Sequence, residues 1–250
     1  MNHKLSAFLS AALVCATSVF ADEIASEDGS SALDSAKHVK TAVQVGIATP
    51  VQWPDSSCDV GGLRFSFFYG ESRNVTGLDL SFVGYTRESF SGLSLDGFSW
   101  VAGAAKGVQL GLVGNINVFD TCGIMLAGGV NDCRSVFTGV QFGLVNIASQ
   151  LSGIQVGAAN WDIGFSRGVQ LGLINVESSD FVGCSFGAVN CTDSFVGVQA
   201  GLLNIATKSG RGLQLGLFNA ADRYIGVQVG LLNLIGNANI PVFPFVNAKF

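Results

Sequence analysis

The chain has 250 residues, of which 48% are hydrophobic and 12% are charged, and it carries 33 glycines, 4 prolines and a net charge of -5. Average proteins contain about 25% charged residues and about 7% glycine, so this composition excludes a disordered chain, and the shortage of proline excludes collagen. The acidic balance also excludes a typical nucleic-acid-binding protein, because phosphate contacts need clustered lysine and arginine.

The first 21 residues are typical of a secretory signal peptide. Lys4 supplies the basic start, residues 7–14 the apolar stretch, and residues 19–21 a small-residue cleavage site. Residues 22–40 are polar, which predicts a flexible lead. After residue 21 no apolar run reaches the roughly 18 residues that a membrane helix needs. We therefore expect an exported chain without a transmembrane helix.

Residues 41–250 form one predicted repeat domain. The clearest unit is Gly-Val-Gln-x-Gly-Leu-x-Asn, which occurs at 139–146, 168–175, 197–204, 212–219 and 226–233. Six weaker copies precede or separate these five. The leading glycines of all eleven copies lie 14 to 16 residues apart, at Gly77, Gly92, Gly107, Gly123, Gly139, Gly153, Gly168, Gly183, Gly197, Gly212 and Gly226.

Each unit alternates between apolar and other residues, as Val169, Gln170 and Leu171 illustrate. A period of two over about eight residues predicts a β-strand. The polar segments between units, such as 177–180, predict turns. With two strands before the first unit and one after the last, the chain has about 14 candidate strands.

Two architectures fit these strands. The expected one is all-β: an antiparallel β-meander closing as an outer-membrane-type barrel of about 14 strands, supported by the signal peptide, the even strand count and the terminal Phe250. The alternative is a parallel β-solenoid with two strands per coil, in which each unit stacks on the next but one. Repeated Gln and Asn residues able to form side-chain ladders favour it, as do Pro241 and Pro244 in the last strand.

The repeat units, together with the segment 62–83 and the ending 241–250, resemble the bacterial surface-repeat proteins first noted in leptospires. The resemblance covers residues 43–250, although the early units at 92–99 and 123–130 depart from the pattern. It implies export and residence at the cell surface or outer membrane of a Gram-negative-type bacterium. It supplies no catalytic residues to transfer.

The sequence offers little chemistry. Its two histidines are His3 and His38, and it has no Cys-x-x-Cys pair, so we expect no enzyme, no metal site and no cofactor. The pairing of the five cysteines after the signal peptide stays open. Arg64, Asp79 and Asp96 are candidate internal charges, which form either a polar lumen or an ion pair. Turn acids, Asp162 among them, are expected to be solvated.

One repeated polar row is a further candidate site. In a barrel it would line the interior, in a solenoid it would form an outer polar stripe, and in either it could serve only as a structural ladder. The row consists of Gln109, Gln141, Gln155, Gln170, Gln199, Gln214 and Gln228.

The expected function is that of a non-catalytic exported protein of the cell surface or outer membrane, with a structural or pore-like role. Its expected partner is outer-membrane lipid, with no nucleic acid, while a protein or glycan partner stays open. The alternative is a secreted or surface-attached solenoid that binds a partner through its repeated Gln/Gly face.

Overall fold

The computed structural model describes residues 39–250, so the predicted signal peptide and nearly all of the predicted lead lie outside the described residues. The described chain is built of β-strands. Their bounds are β1 Lys40–Ala48, β2 Val51–Trp53, β3 Asp59–Val101, β4 Ala104–Asn117, β5 Thr121–Ala127, β6 Val130–Phe142, β7 Val145–Val156, β8 Ala159–Asp162, β9 Ser166–Leu171, β10 Ile174–Phe186, β11 Val189–Ala200, β12 Leu203–Leu215, β13 Phe218–Ile235 and β14 Val242–Lys249.

Successive repeats pair in parallel, and each residue lies beside its equivalent in the next repeat. Gly168 of β9 pairs with Gly183 of β10, and Gly183 pairs in turn with Gly197 of β11. The chain therefore winds into a parallel β-solenoid of about 13 turns. Because neighbouring strands lie about 4.8 Å apart, the stack is about 60 Å long.

The expected antiparallel meander closing as an outer-membrane-type barrel of about 14 strands is wrong. From β3 to β13 the pairings between repeats are parallel, whereas a meander needs antiparallel neighbours. The alternative solenoid fits, although its next-but-one stacking does not. Each unit pairs with the next one, so a single repeat makes one coil.

In the middle coils a corner lies inside the repeat motif. In the repeat that starts at Gly168, the strand breaks at Gly172 and Leu173, between β9 and β10. The polar segment 177–180, predicted to be a turn, instead continues within β10, where the register shifts between Glu177 and Asp180. The physical reason is that Leu173 and Ile174 are consecutive and both face outward, which a flat strand does not allow.

The interior is narrow and mostly polar. Among the described residues, 35 polar or charged side chains are buried against 18 hydrophobic ones. The buried hydrophobic residues form three separate clusters along the axis, around Phe90, Phe137 and Phe181. The stack of coils is therefore stabilised by polar contacts as well as by apolar packing.

Antiparallel strands close both ends of the stack. At the first end β2 pairs with β1, and at the last end β14 pairs with β13. Pro244 lies in β14, at the end of the sheet, where its missing N–H is tolerated because no further strand follows. These end strands cover the polar backbone edges that a parallel stack would otherwise present to other chains.

Candidate functional site

The predicted glutamine row lies in the interior of the solenoid. It forms neither the outer polar stripe expected for a solenoid nor the lining expected for the interior of a barrel. Each of its seven side chains is at most 2% exposed. Gln155 Nε2 donates to Gln141 Oε1 at 2.8 Å, and Gln170 Nε2 donates to Gln155 Oε1 at 3.0 Å. The same contact joins Gln214 to Gln199 at 2.8 Å. The row is thus a side-chain ladder along the axis, and no solute reaches it from outside.

The asparagine that ends each motif forms a second and more regular ladder. Asn175 Nδ2 donates to Asn190 Oδ1 at 2.8 Å and to the carbonyl oxygen of Phe186 at 3.0 Å. The same pair of bonds recurs in eight successive coils, starting from Asn115 and ending at Asn219. The motif showed this residue, but only the position of the corner beside it explains why an amide is required there.

Both glycines of the motif are required because neighbouring coils approach too closely to leave room for a Cβ atom. The leading glycines have φ between 118° and 157°, and a Cβ on Gly168 would lie 1.8 Å from the carbonyl oxygen of Gly153. The second glycine leaves room for the asparagine ladder, since a Cβ on Gly172 would lie 2.7 Å from Asn160 Nδ2. The motif therefore specifies the stacking of coils.

The structure brings together the three predicted internal charges near the first end. Arg64 Nε donates to Asp79 Oδ1 at 2.8 Å, and its Nη2 forms an ion pair with the other Asp79 oxygen. Arg64 Nη1 also donates to the carbonyl oxygen of Tyr85 at 2.8 Å. Asp96 accepts from the Ser81 backbone N–H at 2.9 Å. The cluster is closed to solvent, because its three charged side chains are at most 5% exposed.

The two carboxyl groups of this cluster differ in environment. Burial, and next the charge of Asp79, raises the pKa of Asp96 to about 7. Asp79 has the guanidinium of Arg64 beside it, whereas Asp96 accepts from the Ser81 backbone N–H and the Ser94 hydroxyl. The arrangement is an internal ion pair with an added, easily protonated acid, enclosed by small residues such as Gly84.

Two further acids lie inside the solenoid although their segments were predicted to be solvated turns. Asp162 accepts from Gln155 Nε2 at 2.9 Å and from Gln170 Nε2 at 2.8 Å. Glu177 stands in the next coil, and neither of its carboxyl oxygens has a hydrogen-bond partner among the described residues. The Ser185 hydroxyl, which faces this carboxyl, donates instead to Asn190 Oδ1 at 2.8 Å.

Burial controls the protonation of both acids. It raises the pKa of Asp162 to about 7 in spite of the two glutamine amides, and it raises the pKa of Glu177 well above its usual range, with the charge of Asp162 adding to the effect. The sequence signal for these inward positions is their spacing, since each acid comes two residues after a ladder asparagine. Alternation places the second residue after a buried one on the same face.

The outer surface carries the aliphatic residues of the motif. In the coil of Gly168, the outward side chains are Val169 and Leu171 before the corner, Leu173 at the corner, and Ile174 and Val176 after it. The same positions are stacked in the ten coils from Gly92 to Gly226. We call this surface the apolar edge. The exposed leucines at the corner include Leu112 at 74%, Leu173 at 65%, Leu144 at 61%, Leu202 at 57% and Leu231 at 57%.

The apolar edge is large and nearly free of charge. With about 4.8 Å per coil and about 3.3 Å per residue, it measures roughly 45 Å by 20 Å, on the order of 1,000 Å². Monomeric soluble proteins rarely expose patches above a few hundred Å². Among the stacked positions that form the edge, Asp132 is the acidic residue. It is buried, and its carboxylate pairs with Arg134 at 3.2 Å. The alternating residues Val169, Leu171 and Leu173 were predicted as one apolar strand face, whereas Ile174 and Val176 beyond the corner extend the exposed surface to a second flank.

Comparisons with protein-family models, with curated proteins and with solved structures returned no match. In residues 39–250 no group of three or more His, Cys, Asp and Glu is placed to hold a metal ion, and the five cysteines found there are free thiols. The same residues contain no helix that is long and apolar enough to cross a membrane. The resemblance to leptospiral-type surface repeats stays a prediction.

Proposed function

We propose that this chain is an exported, non-catalytic β-solenoid that attaches at the cell surface by binding an apolar surface along its apolar edge. One observation carries the proposal: the aliphatic positions of the repeat face outward in ten stacked coils, while its amides fill the interior. A surface of this size and composition marks an interaction site.

The proposed binding surface, the apolar edge, differs from the one expected from the sequence. The repeated Gln/Gly face was the alternative candidate, but its glutamines are buried and hydrogen-bonded to one another. The same burial supports a non-catalytic role, because the polar groups able to do chemistry are enclosed in the core rather than gathered in an open cleft. Export is supported by the predicted signal peptide and by the resemblance to surface-repeat proteins.

Envelope fractionation of a Gram-negative host that expresses the full chain tests this function. We expect the chain in the envelope fraction, and we expect the double variant Leu144→Glu/Leu173→Glu to move to the soluble periplasmic fraction. The matched control Gln150→Glu/Ser179→Glu adds the same charge to the same two coils, away from the apolar edge, and should stay in the envelope. Retention in the cytoplasm, or equal fractionation of both double variants, would contradict the proposal.

A further inference from the structure

We infer that the occupant of the apolar edge is the acyl-chain region of a lipid bilayer, with the solenoid axis lying parallel to the membrane plane. The inference rests on the proposed function and deepens it by naming the partner. It follows from the shape of the edge, from its lack of hydrogen-bonding groups and from the residues at its border.

The edge is a wedge with apolar side chains on both flanks. Gln109 and Asn117, which come before and after one corner, face each other across the interior, with Gln109 Nε2 donating to Asn117 Oδ1 at 3.2 Å. Their strand neighbours Val108 and Ile116 therefore point outward in opposing directions. A rigid partner that covers one flank leaves the other in water, whereas fluid acyl chains surround both flanks and the tip.

A second copy of the chain does not satisfy this geometry. Two solenoids packed flank to flank would bury about half of each edge, on the order of 500 Å² per chain, which is below the roughly 800 Å² per partner of a standard stable interface. The remaining half of each edge would stay exposed to water. Self-association would therefore leave much of the apolar edge in contact with water.

The edge also lacks the groups that a specific protein partner uses. Its backbone N–H and C=O groups are engaged in the parallel ladders between coils, and its outward side chains are aliphatic or aromatic in nearly every coil. Protein interfaces carry about one hydrogen bond per 100–200 Å², so an edge of this area would need several. The acyl chains of a bilayer form no hydrogen bonds, so they need no such groups on the edge.

The borders of the edge match a membrane interface. The column just before the leading glycines carries Lys106, Arg167 and Arg211 and no acid in the ten coils. Cations on long side chains reach from an apolar surface to lipid headgroups. Two tryptophans, Trp100 and Trp161, stand in the last column after the corner, and Trp161 Nε1 donates to Ser178 Oγ at 3.2 Å. Tryptophan is enriched at membrane–water interfaces.

The acids that balance these cations lie on the opposite, polar side of the coils. Asp120 accepts from Ser135, and Asp193 pairs with Lys208 at 2.7 Å. Single apolar side chains such as Phe119 and Ile163 are also exposed on that side, but the continuous apolar columns lie on the edge alone. We therefore expect the edge to enter the bilayer by about 5–10 Å, as the apolar face of an interfacial helix does. Because the whole chain has a net charge of -5, attraction to anionic headgroups contributes little, and the binding energy comes from apolar burial.

Flotation of the purified full chain with protein-free phosphatidylcholine vesicles tests the inference, with tryptophan emission as a second readout. We expect the chain to float with a blue-shifted emission, and 1 M NaCl to change its partition less than twofold. Leu144→Glu/Leu173→Glu should weaken the partition at least tenfold, because two exposed leucines no longer enter hydrocarbon. Gln150→Glu/Ser179→Glu should stay within twofold of the wild type.

The outcomes separate this inference from the function it rests on. If the chain fractionates with the envelope through its edge but does not float with protein-free vesicles, the lipid inference is wrong and the function stands with a protein partner. A dimer in light scattering that Leu144→Glu/Leu173→Glu dissociates would make a second copy the occupant. Binding that 1 M NaCl abolishes would show attachment by charge and would also overturn the inference. Circular dichroism of both double variants confirms that they keep the β-fold.

Discussion

The first coils and the middle coils fill the same narrow interior with different chemistry. In the first coils Arg64, Asp79 and Asp96 form an ionic cluster, whereas in the middle coils asparagine amides repeat one contact from coil to coil. An amide has both a donor and an acceptor, so a translated copy of itself is its natural partner. A charge repels its own copy, so the ionic cluster needs a different residue in each coil and cannot propagate. Regular repetition is therefore a property of the amide ladder alone.

The largest expected effect comes from breaking the ionic region. Asp79→Ala leaves the buried guanidinium of Arg64 without its carboxylate, which should destabilise the first coils by about 3–5 kcal/mol. Urea unfolding followed by tryptophan fluorescence measures the loss. The exposed acid in the control Asp180→Ala should matter by less than about 0.5 kcal/mol. Similar losses for the two variants would show that the ionic cluster does not stabilise the fold.

Breaking the amide region should cost somewhat less. Asn175→Ala removes three hydrogen bonds, so that Asn160 Nδ2, Asn190 Oδ1 and the Phe186 carbonyl oxygen each lose one partner. We expect a loss of about 2–4 kcal/mol in the free energy of unfolding. Val176→Ala, at the next and outward-facing residue, is the control and should lose about 1 kcal/mol or less. A ladder that contributes nothing would make the two variants equal.

The same contrast explains how far the sequence predicts the structure. The period of two, the 14-to-16-residue spacing and the all-β class follow from the residues alone, and the solenoid was a stated alternative. The barrel was expected from the predicted signal peptide, the even strand count and the terminal Phe250. Alternation could not correct that expectation, because it does not distinguish parallel from antiparallel neighbours. The two consecutive aliphatics at Leu173 and Ile174 were the missed signal, because both face outward only if a corner lies between the strands.

The interior was predictable only in part. Arg64, Asp79 and Asp96 were placed on one face by alternation alone, and the structure brings them into one cluster. Asp162 and Glu177 were assigned to solvent because polar residues between strands usually form turns. Glu177 lies in β10, which continues past it with a register shift, and Asp162 is the inward-facing last residue of β8. Both features depend on how neighbouring coils pair, which a single strand does not reveal.

A change of pH should alter the stability of the fold through its buried acids, above all Glu177. Its pKa in the folded chain lies well above its usual range, and those of Asp96 and Asp162 lie at about 7, against about 4 in an unfolded chain. The folded chain thus holds protons that the unfolded chain releases. The stability that these protons contribute is fully present below about pH 4. It is lost as pH rises through about 7 for Asp96 and Asp162, and through the raised pKa of the folded state for Glu177.

Urea midpoints at pH 5 and pH 8 measure this loss. We expect the wild type to be less stable at pH 8, by on the order of 1 kcal/mol or more. Glu177→Gln removes one of the three acids and should narrow the difference between the two midpoints. The exposed control Asp222→Asn should leave it unchanged. An unaltered difference in Glu177→Gln would mean that the folded chain does not hold on this carboxyl a proton that the unfolded chain releases.

The smallest effect comes from repairing the glutamine ladder where Ser185 interrupts it. Gln170 Oε1 and Gln199 Nε2 both lack a hydrogen-bond partner among the described residues, and they stand one coil before and one coil after Ser185. The double change Glu177→Ala/Ser185→Gln removes the acid that faces Ser185 and supplies an amide that can bond to both atoms. It should stabilise the chain by about 1 kcal/mol and reduce the pH dependence of its urea midpoint.

The single change Ser185→Gln keeps the Glu177 carboxyl in place and is the matched control. Its longer side chain has to compete with that carboxyl for the same interior space, so it should destabilise the chain, as overpacked cores do. The opposite signs of the single and the double change identify Glu177 as the residue that interrupts the ladder. If both changes stabilise equally, the interruption arises from the short serine alone, because the new amide then fits beside the acid without displacing it.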